Sequence, residues 1–349
     1  MNPWPFLAAA VLCYLLCWPV YRVLIAANII DRPNERSSHT RPTARGGGIA
    51  IMAAVVLCAF YLAWSYHVKL LWVLPLLALV LAAVSFVDDL RSVHPTIRFG
   101  CHAGAAFASL LVLQPGFDFP KWMNPTVATL AFWVLLFLWI AGYTNAFNFM
   151  DGINGIAGVQ AFTTGLGMAL IAHTGAAGEG AAPIQFCAVL AGAGLGFLPH
   201  NFPKARMFMG DVSSAPLGFL LAFAGVWLSA ELGWDLLLPL ALMHTNFVFD
   251  TGITLLRRVS RGEKWYLPHR EHFYQRFIRG GKSHSFVTLW EFALQLLTFL
   301  LLMIYVRSGP GGKIGTTVAV LLLWAAFFIC ADVALRKRTS VKDDGSQLG

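Results

Sequence analysis

Long apolar runs alternate with short polar segments from one end of this chain to the other. The runs are roughly 18–22 residues long, enough to carry a helix across about 30 Å of hydrocarbon. They predict about eleven spanning helices, over residues 5–28, 46–66, 70–87, 99–115, 126–144, 155–173, 182–199, 213–230, 236–256, 286–306 and 314–335. Four polar islands interrupt this pattern: Val87-Asp88-Asp89-Leu90, Asn145-Ala146-Phe147-Asn148-Phe149-Met150-Asp151-Gly152, Phe208-Met209-Gly210-Asp211 and His269-Arg270-Glu271-His272. Carboxylates, carboxamides, imidazoles and guanidinium groups are costly beside lipid, so a chain that gathers them is expected to build a site there.

Composition agrees with the pattern. With 58% hydrophobic and 12% charged residues over 349 positions, and a mean hydropathy of +0.66, the chain is too apolar for an ordinary soluble globule. The expected fold class is an all-α polytopic integral membrane protein. Charge then orients it, because basic loops stay on the cytoplasmic side. With the N-terminus outside and the C-terminus cytoplasmic, the inner loops and tail hold Arg32, Arg36, Arg41, Arg45, Arg91, Arg98, Lys204, Arg206, the basic residues from Arg257 to Lys282, and those from Arg336 to Lys342. The outer loops hold only Lys69, Lys121, Arg307 and Lys313, while Arg22 falls within the first span. All four islands then face the cytoplasm. The same asymmetry accounts for the net charge of +8 without a nucleic-acid partner, since no aromatic-rich basic reader motif accompanies it. The first span lacks a basic start and a small-residue cleavage site, so it is expected to be a retained helix. Cys13, Cys17, Cys58, Cys101, Cys187 and Cys330 all lie in apolar runs without C-x-x-C pairing, which predicts packing residues, not a disulfide frame or a zinc site.

The predicted organisation is one polytopic catalytic domain, residues 1–335, with a basic and polar tail at 336–349. Its working loops fall near 29–46, 88–98, 145–154, 200–212 and 257–285. Gly46-Gly47-Gly48 permits close backbone approach, either to a ligand or to a neighbouring helix. The most basic loop, 257–285, reads both as a topology determinant and as a surface attractive to anionic headgroups.

Each island has a structural reading and a chemical one. Asp88 and Asp89 close a helix, and adjacent helical residues point about 100° apart, so a division of labour is expected. One would face a cation or a reacting phosphate while the other orients a nearby Arg or Lys. Alternatively, the pair is a polar helix end at the interface. Asn145, Asn148 and Asp151 recur every third residue and make a ladder on one helix face, with oxygens suited to Mg²⁺; capping at a helix end is the competing reading. Gly152, Asn154 and Gly155 then open a turn whose amides could meet a base or a phosphate. Asp211 precedes an apolar helix and is either its N-cap or a metal ligand. His269, Arg270 and His272 offer three donors to phosphate oxygens; a metal site built on the two histidines is the less favoured alternative, because oxygen ligands suited to Mg²⁺ dominate the other islands. His244 and Asp250 either line the same cavity or hydrogen-bond between helices. Independent capping would not require several unrelated loops on one membrane side each to present Asp or Asn.

In this order, Asp31-Arg32-Pro33-Asn34, Arg45-Gly46-Gly47-Gly48, Asp88-Asp89, Asn145-x-x-Asn148-Phe149-Met150-Asp151-Gly152, Phe208-Met209-Gly210-Asp211 and the His269 block closely resemble the polyprenyl-phosphate N-acetylhexosamine-1-phosphate transferases. This is glycosyltransferase family 4, which includes the phospho-N-acetylmuramoyl-pentapeptide translocase and the eukaryotic enzyme that begins N-glycan assembly. The resemblance implies transfer of a sugar 1-phosphate from a UDP-N-acetylhexosamine to undecaprenyl phosphate, with release of UMP and Mg²⁺ (or Mn²⁺) as cofactor. It places Asp211 and Asn148 at metal-binding positions, with Asp151 on the same polar face. Asn154 and Phe208 match positions that hold and stack on uracil, and His269, Arg270 and His272 match the block around the donor diphosphate. Asp88 and Asp89 match the catalytic aspartates, for which deprotonation of the lipid phosphate and a nucleophilic role are the two alternatives. A base or positioning role is preferred, because a phosphate monoester dianion is already a competent nucleophile.

Two departures from the family pattern stand out. Arg98 occupies a place where many relatives have Lys, and is expected to contact phosphate. The block reads His-Arg-Glu-His instead of three histidines, which points to the branch that starts O-antigen or other surface glycans. The other expected partners are membrane lipid and, as an open alternative, a second copy of the chain in a homodimer. The competing functional classes are a transporter or lipid flippase, which should place ionisable groups near mid-membrane and often shows repeated halves, not detected here, and a lipid-diphosphate phosphatase.

Overall fold

The computed structural model describes residues 1–33, 41–91, 93–175, 181–264 and 269–346. Asn34, Arg36 and the rest of the first loop up to residue 40 lie outside the described residues, as do Ser92 and the end of the tail from 347. The same holds for the side chains of the tail from residue 339, including Lys342.

Among the described residues the chain forms thirteen α-helices: α1 (Trp4–Ala26), α2 (Gly48–Tyr66), α3 (Leu70–Leu90), α4 (Pro95–Leu113), α5 (Pro125–Met150), α6 (Ile156–Gly175), α7 (Ala181–Asn201), α8 (Asp211–Leu232), α9 (Leu237–Leu242), α10 (Thr245–Ser260), α11 (Phe273–Arg279), α12 (His284–Tyr305) and α13 (Pro310–Ser346). Ten are long and apolar enough to cross a bilayer, and the bent pair Trp234–Leu242 with Thr245–Ser260 makes up to eleven. The protein is a multi-pass, all-α membrane protein. Helix starts follow local chemistry: the Asn124 side chain accepts from the amides of Thr126 (3.1 Å) and Val127 (3.2 Å) at the head of α5, where Pro125 has no amide to satisfy.

The ninth apolar run is not one straight span. It breaks between Leu242 and Thr245 with a bend of 71°. Inside the bundle, a break needs other partners for the freed backbone groups. The Met243 carbonyl accepts from Gln160 Nε2 (3.4 Å), Thr164 Oγ1 (3.3 Å) and Gln295 Nε2 (3.2 Å). Asn246 Nδ2 donates to Gln160 Oε1 (2.8 Å) and Glu291 Oε2 (3.1 Å), knitting α6, α10 and α12 together.

At the bundle centre, α8 is buried from Val212 to Ser229 and packs on α2, α3, α4, α5, α6, α7 and α9. Exposed apolar side chains such as Trp64, Leu130, Leu256 and Ile329 belong to the surface that meets lipid. A three-stranded sheet ties together the ends of α1, α2 and α8. Strand β1 (Ile30–Asp31) pairs antiparallel with β2 (Thr43–Arg45), which pairs parallel with β3 (Met207–Phe208), with Ala44 opposite Met207 and Arg45 opposite Phe208. Cys13, Cys17, Cys58 and Cys187 are buried packing residues, whereas Cys101 is half-buried and Cys330 is exposed.

Candidate active site

The glycine triplet settles as a packing device. The Gly47 and Gly48 amides donate to the Phe208 and Met209 carbonyls, both at 2.8 Å. A Cβ on Gly47 would stand 2.6 Å from Met207 Sδ, and one on Gly48 would stand 2.8 Å from the Met209 carbonyl. The head of α2 therefore lies directly on the segment leading into α8, and these glycines are covered by protein.

That contact carries Arg45 to the start of α8. Its guanidinium reaches Asp89 Oδ1 at 2.7 Å and Asp211 Oδ1 at 3.4 Å. Burial would draw Arg45 down, but Asp89, Asp211, Asp31 and Asp151 together hold it above its ordinary pKa. Asp89, whose side chain is only 1% exposed, also accepts from the backbone amides of Asp211 (3.3 Å) and Val212 (3.2 Å). It is thus Asp89, from α3, that satisfies the first amides of α8 and sits in the positive field of that helix end.

Asp211 is not the N-cap that its position suggested. Gly210 holds the cap position at φ +75°, in the left-handed region that favours glycine, and a Cβ there would approach Asp89 Oδ2 to 2.8 Å. Asp211 is left with its carboxylate 24% exposed between two guanidiniums, Arg45 and Arg98, the latter 3.7 Å away. Arg98 also pairs with Asp88, whose other oxygen accepts from the Val93 amide at 2.8 Å and closes the turn after α3. The two adjacent acids point to different partners, as adjacent helical positions require.

The ladder on α5 divides. Asn148 faces α8 and donates to Ser214 Oγ at 2.8 Å, one turn along from Asp211. Asn145 instead meets His102 Nδ1 at 3.1 Å and donates to its own helix at Ala141. Asp151, the C-cap of α5, has its carboxyl raised to about 7 by burial and by Asp211, with Arg45 opposing. Asp88, Asp89, Arg98, Asn148, Asp151 and Asp211 thus come together.

The turn after α5 corrects a second expectation. Its amides are already engaged: Asn154 N reaches His284 Nδ1 at 3.4 Å, and Gly155 N donates to Asn201 Oδ1 at 2.6 Å. The Asn154 side chain donates to the Pro203 carbonyl at 3.1 Å, on the segment that leads to Phe208.

The His269 block lies at the head of α11, and its members are not equivalent. The Nδ1–H of His272 donates to Asp250 Oδ1 at 2.8 Å, and Asp250 also accepts from the Phe273 (3.1 Å) and Tyr274 (3.2 Å) amides. With Nδ1 committed, neutral His272 offers only a lone pair at Nε2, so it donates to an anion only as imidazolium. His269 Nδ1 accepts from the Glu271 amide at 3.4 Å, which leaves an Nε2–H donor. Burial, His272 and Arg258 push its pKa down to about 4. Arg270 is half-buried between them, and Glu271 pairs with Arg258 (2.7 Å) and Arg261 (3.2 Å). Tyr274 joins the block to the rest, donating to the Phe149 carbonyl at 3.4 Å with its hydroxyl raised well above the ordinary value by burial, Asp250 and Asp151. His244 is elsewhere, buried against Trp139 and Tyr143 at the helix break.

Arg45 is the central residue to which sequence reasoning assigned no specific task; its signal was its place beside the glycine triplet. Asp250 takes the hydrogen-bonding alternative, from α10 to the head of α11.

The glycosyl transferase family 4 pattern matches residues 71–229, from the head of α3 to the far half of α8. A probable undecaprenyl-phosphate N-acetylglucosaminyl 1-phosphate transferase of Bacillus subtilis is 27% identical over 290 residues, covering 80% of this chain and 78% of the relative. A decaprenyl-phosphate N-acetylglucosaminephosphotransferase of Mycobacterium tuberculosis is 28% identical, covering 81% and 77%. A phospho-N-acetylmuramoyl-pentapeptide-transferase of Lacticaseibacillus paracasei is 31% identical, covering 69% and 77%. The matched stretch includes the acids of α3, the α5 end and the head of α8, and on this likeness the chain belongs to glycosyl transferase family 4.

Proposed function

We propose that this protein transfers an N-acetylhexosamine 1-phosphate from its UDP-linked donor to undecaprenyl phosphate. An oxygen of the lipid phosphate bonds to the β-phosphorus of the donor, the bridge to the α-phosphate breaks, and UMP leaves. The observation that carries this reading is the meeting of Asp88, Asp89, Arg45, Arg98, Asn148 and Asp211 around the head of one buried helix. The names of the three relatives support the same reaction class.

The donor set fits Mg²⁺. Four carboxylates, Asp88, Asp89, Asp151 and Asp211, face two guanidiniums, Arg45 and Arg98, and a divalent cation would balance the excess. Among the described residues no three His, Cys, Asp or Glu side chains form a ready metal cage, in keeping with an ion that takes one or two protein oxygens and fills its shell with phosphate and water. Asp211 and Asn148 would hold it, and it would neutralise diphosphate charge during transfer.

Arg98, oriented by Asp88, would grip phosphate oxygens. Asp89 would keep the α8 head and Arg45 in place. Phe208 and Asn154 would receive the uracil, and His269, Arg270 and His272 the diphosphate. A crevice of 720 Å³ between α4 and α5, lined by Phe107, Leu130, Trp133 and Phe137, lies towards the helix ends away from Arg98 and Asn148 and would take only the far part of an isoprenoid chain. The placement of Lys and Arg supports an inner-membrane protein with its N-terminus outside and this site at the cytoplasmic face. The His-Arg-Glu-His block supports a role in O-antigen or related surface-glycan initiation.

The test is UMP release by detergent-purified protein given undecaprenyl phosphate, Mg²⁺ and a panel of UDP-N-acetylhexosamines. UMP with one or more donors is the expected result. Inorganic phosphate in its place would identify a phosphatase, and no release with any donor would overturn the assignment.

A further inference from the structure

We propose a second lipid site, separate from the acids of α3 and α8, that binds an anionic glycerophospholipid between α10 and α13. The two helices present matched stripes at four-residue spacing: Phe249, Ile253 and Arg257 on α10, and Trp324, Phe328 and Asp332 on α13. Residues spaced by four share a helix face, so both stripes run from apolar to charged in the same direction, over about 12 Å at 1.5 Å per residue. Between them lies a crevice of 460 Å³. It opens sideways, because Phe249, Leu322 and Ile329 are 42%, 65% and 64% exposed. This is the form of an amphiphile, with an acyl chain along the crevice and a headgroup at its charged lip.

Charge at the lip selects the headgroup. Asp332 pairs with Arg257 at 3.4 Å and also with Arg276 of α11. Both guanidiniums lie over the Phe273 ring, at 4.8 and 4.6 Å. Arg276 is further fixed by the bond from its Nε to the Glu271 carbonyl, 2.8 Å. Two cations against one carboxylate leave a net +1, which one phosphodiester anion would neutralise. A zwitterionic headgroup brings its own cation and has less to gain. Basic pockets between helices on one membrane side suit such headgroups. Arg276 and Phe273 belong to α11, whose first residues hold Asp250 and His272, so lipid at the lip would steady the helix carrying the His269 block.

Native mass spectrometry and thermal stability of the full-length protein in detergent test this, with phosphatidylglycerol, phosphatidylcholine and undecaprenyl phosphate as separate probes. Phosphatidylglycerol should be retained and should raise the melting temperature, while phosphatidylcholine should do neither. Arg257→Gln should weaken retention about fivefold, the effect of one basic group near a membrane surface, and Arg257→Lys should restore most of it. Ala325→Trp, which fills the crevice from its α13 wall, should also lower retention and carries the test if Arg257→Gln fails to fold. Equal retention of the two phospholipids, displacement of phosphatidylglycerol by equimolar undecaprenyl phosphate, or unchanged retention in Ala325→Trp would each overturn the proposal.

Discussion

Asp89→Asn is the most informative substitution, because it keeps the shape of the side chain while removing the charge that both the α8 head and Arg45 use. The carboxylate accepts from two backbone amides at 3.3 and 3.2 Å and from Arg45 at 2.7 Å. Loss of an anion at a partly buried helix head costs about 1–2 kcal/mol. Breaking a fully buried ion pair costs about 3–5 kcal/mol, but Arg45 is a third exposed and keeps Asp211 nearby, so roughly 1–2 kcal/mol is the appropriate share. These contacts sum to about 2–4 kcal/mol, but the carboxylate is buried and lies in the field of Asp211, so relief of a buried charge offsets part of the loss and the melting temperature should fall by at most roughly 5 °C. Asp88→Asn is the control. Its partner Arg98 is 31% exposed, so the pair is worth at most about 1 kcal/mol, and the asparagine oxygen can still accept from Val93. Both variants should lose most UMP release, with different pH profiles, and Asp89→Asn should lose more stability than Asp88→Asn. Equal melting temperatures with identical pH profiles would refute the divided roles.

Asp211→Asn and Asn148→Ala should abolish turnover while leaving membrane insertion and the elution profile intact; normal activity of either at limiting Mg²⁺ would remove that residue from the metal site. His269 has a folded pKa below its unfolded one, at about 4, so the unfolded chain binds the proton first and this group's contribution to stability is lost as pH falls from about 6.5 towards 4. His269→Gln should therefore flatten the decline of melting temperature across that window, and an unchanged decline would show that His269 does not contribute to it. Glu291→Gln should keep the bond to Asn246 and retain near-normal stability, whereas Glu291→Leu should destabilise the bundle by unpairing buried amides, about 1–3 kcal/mol; equal stability of the two would show that the network does not hold the bend.

The spans were legible because crossing a membrane demands an unbroken apolar run, a constraint that any window of the sequence reveals. The break at Met243 was not, since the groups that satisfy it, Gln160, Gln295 and Glu291, come from helices distant in sequence. The small sheet was equally hidden, because strands of two or three residues carry no periodicity. Helix α11 had a faint signal in Phe273, Tyr274 and Phe277, an apolar face within a basic loop, all three now buried. The structure brings Asp88-Asp89, Asn148 and Asp211 to one helix head, but the pairings within and between the islands are ones no local pattern contains. The cap position at α8 went to Gly210 because a carboxylate from α3 serves the amides. Asn145 left the ladder because His102 lies beside it, and His272 turned inward because Asp250 offers three contacts at once.

The buried network at the helix break bears on the transporter alternative, which expects ionisable groups deep in the membrane and discontinuous helices. Both features are present, in Glu291 and in the α9–α10 bend. Their hydrogen bonds, however, close inward: Glu291 meets Asn246, Asn246 meets Gln160, and Gln160 meets Gln295 and the Met243 carbonyl. Each of these side chains is at most 3% exposed, so they line no path for a substrate. Gln295 Oε1 is left without a partner, but the three bonds converging on the Met243 carbonyl fix the backbone geometry there. The geometry they fix is useful: the bend sets the course of α10, whose Asp250 receives the head of α11 and the ring of His272. Membrane-buried polarity here serves to fix where α10 presents Asp250 to the head of α11.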